Sequence, residues 1–337
     1  MKKRIIISHI ATFALVIVVF VISVRNNWFI KVGNRIEAYI EAQKQEEEYN
    51  YRNNEWEKAY EIPALIDEPN AWYTKYHFIS HAGGGIDGKA YSNSLEAWEL
   101  SYSRGNRLFD ADMSYTEDGV LVLRHSWDDN LEINSSIRDG KEPYFDRNGQ
   151  LRMRTNRIEF LNYKEFKSTK IYRKYSPMDC RDMLEFMNTH SDVYVMCDMK
   201  EDISSAYLQL ISTAKEMGLE SVVDRIIVSI YRFDDVYTVR NIYPFEHVII
   251  RQFTSHHPHN YKELIDMCYK NDIHAVSISA CYANDEGIKA LAEHNIHTYV
   301  AICDYISDMR EYQKLGINGA VTNYLYEEDW NLVTDNN

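Results

Sequence analysis

Twenty residues from Ile5 to Val24 contain no Asp, Glu, Lys or Arg, and Lys2-Lys3-Arg4 stands directly before them. A run of that length spans a bilayer as a helix. The basic cluster on its N-terminal side predicts residues 1–4 in the cytoplasm and the remainder of the chain outside. A cleaved signal peptide and a buried globular helix are the alternatives. The first wants a small-residue cleavage site, which does not follow, and the second sits poorly beside three basic residues. From residue 25 the pattern turns polar. Ile36, Ile40 and Ala42 repeat weakly at helical spacing, and Gln43-Lys44-Gln45-Glu46-Glu47-Glu48 follows. Residues 25–71 therefore read as a stalk, either a polar helix or a linker. Pro63 and Pro69 close it, and the globular part, 72–337, is expected to start near Trp72.

Beyond Trp72 the hydrophobic period alternates between two and 3.6. Strands are expected at His77–Ser80, Leu108–Asp112, Val193–Met199, Arg225–Ile230, His247–Phe253, Ala275–Ser279, His297–Ile302 and Gly319–Thr322. Helices are expected between them: Asn93–Arg104, with Asn93 and Glu96 as a capping box, Pro177–His190, Ser205–Met217 stopping at Gly218, a short one after Ile230, then Asn260–Asn271, Asp285–His294 and Ile306–Leu315. Residues 127–175 are irregular and polar, with Asp139-Gly140 and Asn148-Gly149 turns, and predict a small insertion after the second strand with a hairpin of its own. Eight strand–helix units over some 250 residues predict an α/β fold of the (β/α)8 TIM-barrel type. An open doubly wound sheet is the alternative, and it gives no reason for eight units.

A barrel puts its active site at the C-terminal strand ends, and the chemistry of this chain collects there. His81 follows the first strand within His81-Ala82-Gly83-Gly84-Gly85. Asp110 and Asp112 share one face of the second. Asp118-Gly119 then reads as a two-residue hairpin turn leading to Val120–His125, which would set Asp112 directly opposite His125. The bland reading is a surface hairpin with solvated charges, but Asp is disfavoured inside an otherwise strand-like run. Asp198 and Lys200 end the third strand, on one face with Tyr194 and Met196. Three carboxylates offer only oxygen ligands, so a hard divalent ion, Ca²⁺ or Mg²⁺, is expected among Asp110, Asp112 and Asp198. Without a cation they would repel one another. Lys200 reads either as a salt-bridge partner of these aspartates or as a group for substrate charge.

Composition narrows the class. With 337 residues and a net charge of −14, the chain lacks the basic face that nucleic acid requires. Its five Cys are odd in number and unpaired in spacing, which predicts buried free thiols rather than a disulfide framework. His256-His257-Pro258-His259 reads as a surface loop, since adjacent histidines seldom converge on a zinc ion.

The ordered set His81, Asn93-Ser94, Asp110-Ala111-Asp112, Thr116-Glu117-Asp118-Gly119, His125 and Asp198-Met199-Lys200 resembles the glycerophosphodiester phosphodiesterase family of phosphatidylinositol-phospholipase-C-like barrels. Val228-Ser229 and Gly319–Asn323 also look like its strand ends, and the resemblance covers about residues 76–330. It implies a phosphoric diester hydrolase with His81 and His125 as its acid–base pair, His81 as base and His125 as acid or the reverse. It implies a divalent metal on Asp110, Asp112 and Asp198, with Lys200 and Asn93 toward the substrate. Attack by a neighbouring substrate hydroxyl, through a cyclic phosphate, is the family's usual course. The chain departs from the pattern in several places. Ala82 stands where the family carries an arginine, Ser92 where it carries a glutamate, and Asp110 and Asp198 replace glutamates. Amides of the glycine run, or Arg251 at the end of the fifth strand, are the candidates to take over the arginine's phosphate contact. The implied partner is a phosphodiester at the cell envelope: a glycerophosphodiester, a lysolipid or a surface polymer. The competing reading is a non-catalytic, membrane-anchored barrel acting as a binding or scaffold domain, favoured by Ala82 and Ser92.

Overall fold

The structure is a computed structural model that describes residues 62–127, 142–145, 151–154, 161–252, 261–280, 283 and 285–335. The expected membrane span over 5–24, residues 25–61 of the expected stalk, and the His256–His259 cluster lie outside the described residues. Among the described residues no helix is long and apolar enough to cross a membrane.

Among the described residues there are eleven strands. They are β1 Phe78–Ser80, β2 Leu108–Tyr115, β3 Leu121–Leu123, β4 Glu142–Phe145, β5 Leu151–Arg154, β6 Tyr194–Met199, β7 Ile226–Ile230, β8 Val248–Gln252, β9 Ala275–Ser279, β10 His297–Ala301 and β11 Gly319–Thr322. The helices are α1 Trp72–Lys75, α2 Leu95–Ser103, α3 Tyr163–Ser168, α4 Cys180–Thr189, α5 Ile203–Met217, α6 Asp235–Ile242, α7 Tyr261–Asn271, α8 Asp285–Glu293, α9 Ile306–Lys314 and α10 Trp330–Thr334. β1, β2 and β6 to β11 are parallel neighbours in chain order, and β1 pairs with both β2 and β11, so the sheet closes on itself. This is the (β/α)8 barrel. β3 is an antiparallel extension of β2, and β4 and β5 form a separate hairpin within the insertion.

The barrel interior is built in layers, as the two-residue strand period requires. Ile79, Leu108, Met196, Ile227, Ile249, Ala275, Tyr299 and Val321 form one apolar cluster, with a side chain from each of the eight strands. Trp72 and Tyr73 of α1 join the same cluster; Trp72 stacks on Tyr299 at 6.1 Å. Two residues further along the strands the same face becomes polar: His81, Asp110, Asp198, Ser229, Arg251, Ser277 and Asn323. The apolar layer excludes water from below, so charges in the layer above sit in a medium where each needs a partner. The chain ahead of Trp72 also touches the barrel: Leu65 is buried and its amide donates to His294 O at 3.0 Å.

Several local expectations are corrected. The helix after β1 begins at Leu95, with Ser94 as its N-cap, while Asn93 adopts φ 45° and points its side chain elsewhere. Glu96 does not cap α2; it accepts from Ser176 N and Oγ at 2.8 and 2.9 Å. α4 starts three residues beyond Pro177, with Asp179 and Asp182 as its capping box. Residues 161–175, expected to be irregular and polar, carry α3 and an apolar cluster. Leu161, Phe166, Ile171 and Tyr175 pack with Val122 and Trp127 in a second small core. α5 does stop where expected, at Gly218 in the left-handed region (φ 68°). Cys180, Cys197, Cys268 and Cys303 are free and buried.

Candidate active site

The hairpin that carries the first carboxylates differs by one residue from its expected register. Its loop is Glu117-Asp118-Gly119, three residues rather than two. Thr116 N–H donates to Val120 O at 3.0 Å, Gly119 N–H donates to Thr116 O at 2.9 Å, and Gly119 takes φ 79°. Thr116 Oγ1 also bonds Asp118 Oδ1 at 2.7 Å and accepts Val120 N–H at 3.0 Å, which makes the tighter two-residue loop unavailable. Met113 therefore pairs with Leu123, and Arg124 N–H, not His125, meets Asp112 O, at 2.7 Å. A one-residue slip would send every later side chain to the other face. It does not, because β3 ends at Leu123 and the chain is free to turn before His125.

The expected carboxylates do come together. β2 and β6 pair with Asp112 beside Asp198, and Asp110 lies two residues back on β2. All three are buried. Two cations bridge them. Lys200 Nζ lies 2.9 Å from Asp112 Oδ1 and 2.6 Å from Asp198 Oδ2. Arg251 Nη1 lies 2.8 Å from Asp198 Oδ2 and 3.6 Å from Asp110 Oδ1. Tyr231, one layer above Ser229, donates its hydroxyl to Asp198 Oδ2 at 2.8 Å. Arg251 thus faces the barrel interior, and its guanidinium engages carboxylates. Lys200 keeps its proton firmly: burial works against the ammonium, but Asp112 and Asp198 raise its pKa above the ordinary value.

The two carboxylates of β2 are driven in opposite directions. Burial pushes Asp110 up to about 6, against the pull of Arg251 and with the help of Asp112 and Asp198. Burial opposes ionisation of Asp112 as well, but Lys200, His81, His125 and the Asn93 amide hold it below the ordinary range. Asn93 Nδ2 donates to Asp112 Oδ2 at 3.0 Å, and its Oδ1 accepts Asp112 N–H at 3.3 Å. Asn93, expected to face the substrate, is committed to orienting this carboxylate.

His81 and His125 meet around a residue that the sequence did not single out. The ring of Tyr91, from the loop after β1, stands edge-on to His81 at 4.5 Å and to His125 at 5.9 Å. His81 is buried and its Nδ1 bonds Asn323 Oδ1 at 2.9 Å. Tyr231, Asn323 and Tyr91 are the additions to the expected set. The first two were signalled by period two, lying two residues beyond Ser229 and Val321. Tyr91 lies in irregular chain and carried no signal.

The glycine run does not form a phosphate cradle. Gly84 N–H donates to His81 O at 2.8 Å and Gly85 N–H to Asn323 O at 2.6 Å. The run instead lets the His81 turn press against its neighbours. A Cβ on Gly83, which has φ +84°, would lie 2.2 Å from Trp98 Cδ1. Trp98 cannot yield, being fully buried and stacked on Phe109 at 4.8 Å. Gly83→Ala is expected to destabilise the protein by about 2–4 kcal/mol through overpacking and left-handed strain. Urea denaturation checks this; a loss below about 1 kcal/mol would show that the turn is slack. Ala82, at the family's arginine position, is fully buried and presents nothing to the site.

The donor chemistry suits a hard divalent cation. Every candidate ligand is a carboxylate oxygen, and both oxygens of Asp110 and Oδ1 of Asp198 are buried with no hydrogen-bond partner among the described residues. No group of three or more His, Cys, Asp or Glu among the described residues is already arranged around a metal position. Lys200 and Arg251 hold the bridging places between the carboxylates.

The model of the glycerophosphoryl diester phosphodiesterase family matches residues 81–327. No curated protein sequence matches the chain. Among solved structures it is similar to a glycerophosphodiester phosphodiesterase from Parabacteroides distasonis, with TM-score 0.56 and 16% identity over 76% of this chain and 96% of that one. It is also similar to a phosphodiesterase from Oleispira antarctica, solved with the product sn-glycerol-3-phosphate, with TM-score 0.53 and 13% identity over 82% of this chain and 98% of that one. At such identity the likeness carries the fold.

Proposed function

We propose that this chain, which belongs to the glycerophosphoryl diester phosphodiesterase family and is a phosphodiester hydrolase, cleaves a glycerophosphodiester-type substrate, a lysolipid or a phosphodiester-linked surface polymer at the cell envelope. The observation that carries the reading is the pair of imidazoles flanking Tyr91, at the end of the barrel where three buried carboxylates and Lys200 collect. His81, with Nδ1 tied to Asn323, has Nε2 left to take a proton from an attacking hydroxyl. His125 is the group to protonate the departing alkoxide, and both roles follow the family resemblance. Lys200 steadies charge on the phosphate, and Asn93 keeps Asp112 turned toward the site. Asp110, Asp112 and Asp198 would hold a divalent ion, Mg²⁺ or Ca²⁺, which supplies Lewis acidity to a phosphoryl oxygen when bound. The glycerol phosphate found in the Oleispira enzyme favours a glycerol phosphate on one side of the scissile bond. The apolar run over 5–24, with its basic N-terminal flank, supports a single-pass anchor with the barrel outside the cytoplasm.

The full-length chain, incubated with glycerophosphodiesters, lysophospholipids and teichoic-acid-type polymers, is expected to turn over at least one of them. Chelator should abolish that turnover, and Mg²⁺ or Ca²⁺ should restore it. No hydrolysis of any diester with either ion would sink the reading, and full activity in chelator would remove its metal component.

A further inference from the structure

His81 can accept a proton at Nε2 only if the neutral ring carries its hydrogen on Nδ1. What lies behind Nδ1 decides this, and here it is not a carboxylate. Asn323 presents an amide, and an amide offers either an acceptor or a donor according to which way it is turned. Turned one way, Asn323 leaves Nε2 free to accept. Turned the other way, it donates to Nδ1 and puts the ring hydrogen on Nε2.

The orientation is set one bond further out. Asn323 Nδ2 lies 2.8 Å from Asp304 Oδ2, and Asn323 N–H donates to Asp304 Oδ1 at 2.6 Å. Thr322 Oγ1 already accepts Tyr324 N–H at 3.2 Å and Leu325 N–H at 3.0 Å, so its own hydrogen is available for Asp304 Oδ1, 3.1 Å away. Asp304 therefore receives three donors, and an ionised carboxylate has none to give. The amide must point Nδ2 at Asp304 and Oδ1 at His81.

We propose that Asp304, acting through Asn323, is a positioning residue that holds His81 in the Nδ1–H tautomer. The inference rests on the reading of His81 as the proton acceptor. The chain from Asp304 to His81 joins the loop after β10 to the end of β11, so the tautomer is fixed by elements other than β2 and β6, which carry the three carboxylates.

The arrangement makes an unusual demand on Asp304→Asn. The replacement's carbonyl oxygen is retained by Thr322 Oγ1 and Asn323 N–H, so its NH₂ turns toward Asn323. The Asn323 amide must then flip and donate to His81, and the ring switches to Nε2–H. In the full-length chain with ¹⁵N-labelled histidine, the His81 signals are assigned by their loss in His81→Gln. Wild type is expected to show Nδ1–H, and Asp304→Asn to show Nε2–H. Turnover should follow, with kcat lower by about 100-fold or more and KM within about threefold. Asp304→Asn combined with Asn323→Asp restores a consistent chain: the amide at 304 donates to a carboxylate at 323, which accepts from His81 Nδ1–H. That double variant should return the Nδ1–H spectrum and recover at least tenfold of the lost kcat, which a merely structural defect would not do. Retention of Nδ1–H in Asp304→Asn overturns the proposal, and so does a double variant no faster than the single one. An absence of diester turnover in wild type would instead count against the proposed function and leave the tautomer measurement standing.

Discussion

His81→Gln and His125→Gln are each expected to lower kcat on a glycerophosphodiester by about 10²–10⁴-fold, the usual contribution of a positioned acid or base. The two losses should not multiply, because both side chains serve one proton-transfer sequence across one bond. A synthetic diester separates them. A nitrophenolate departs without being protonated, so the acid is dispensable with that leaving group while the base is not. His125→Gln should then recover to within about tenfold of wild type, and His81→Gln should stay slow. The reverse pattern would exchange the two roles. Wild-type rates in both variants on the natural diester would remove the histidines from the mechanism. The proposed function takes His81 as base, its Nδ1 being engaged by Asn323 at 2.9 Å.

The reach of the sequence depended on how regular the backbone is. Asp110, Asp112 and Asp198 were legible because a strand repeats every two residues, and the same face is apolar at Leu108 and Met196 just below. Eight such strands gave the barrel. The pattern misleads where a side chain outranks local preference. Asn93 has the composition of a helix cap, but its side chain is bonded to Asp112 with its backbone at positive φ, and the N-cap position falls to Ser94, whose side chain makes no capping bond. Thr116 adds hydrogen bonds to the hairpin turn that an Asp-Gly pair does not advertise, and the register moves by one. Leu161, Phe166, Ile171 and Tyr175 recur at a spacing belonging to neither helix nor strand, so their shared core was hidden. Asp304 and Asn323 lie 19 residues apart in different loops, and only the closed barrel brings them together.

Arg251→Met is expected to cost about 3–5 kcal/mol in metal-free protein, the scale for removing one partner from a buried ion-pair group. Arg251 is 6% exposed, and its removal leaves Asp110, Asp112 and Asp198 with Lys200 as their bridging cation. The deficit should depend on pH, and Asp110 sets the sign. Its folded pKa of about 6 lies above the ordinary 3.8 of a free carboxyl. Its protonated form is therefore the one the fold prefers, and that stability is complete in acid and lost as pH rises through the folded value. Arg251 is the largest influence holding that pKa down, so without it Asp110 titrates higher still. At pH 5 the Asp110 carboxyl is mostly neutral in both proteins, only the lost bond to Asp198 remains, and the deficit should be smaller. By pH 8 wild type carries a paired charge, the variant faces the full burial penalty, and the deficit should reach its maximum. Chemical denaturation at the two pH values reads the difference directly. A divalent ion offers a second test, since it supplies the charge the arginine took away. Mg²⁺ or Ca²⁺ should raise the stability of Arg251→Met more than that of wild type, through binding to the native state alone. Adding Asp110→Asn should recover part of the stability and remove the ion's extra effect. A pH-independent deficit would uncouple Arg251 from Asp110 and leave its 2.8 Å bond to Asp198 as the interaction it stabilises, and equal stabilisation of both proteins by the ion would show that the ion does not replace the arginine's charge.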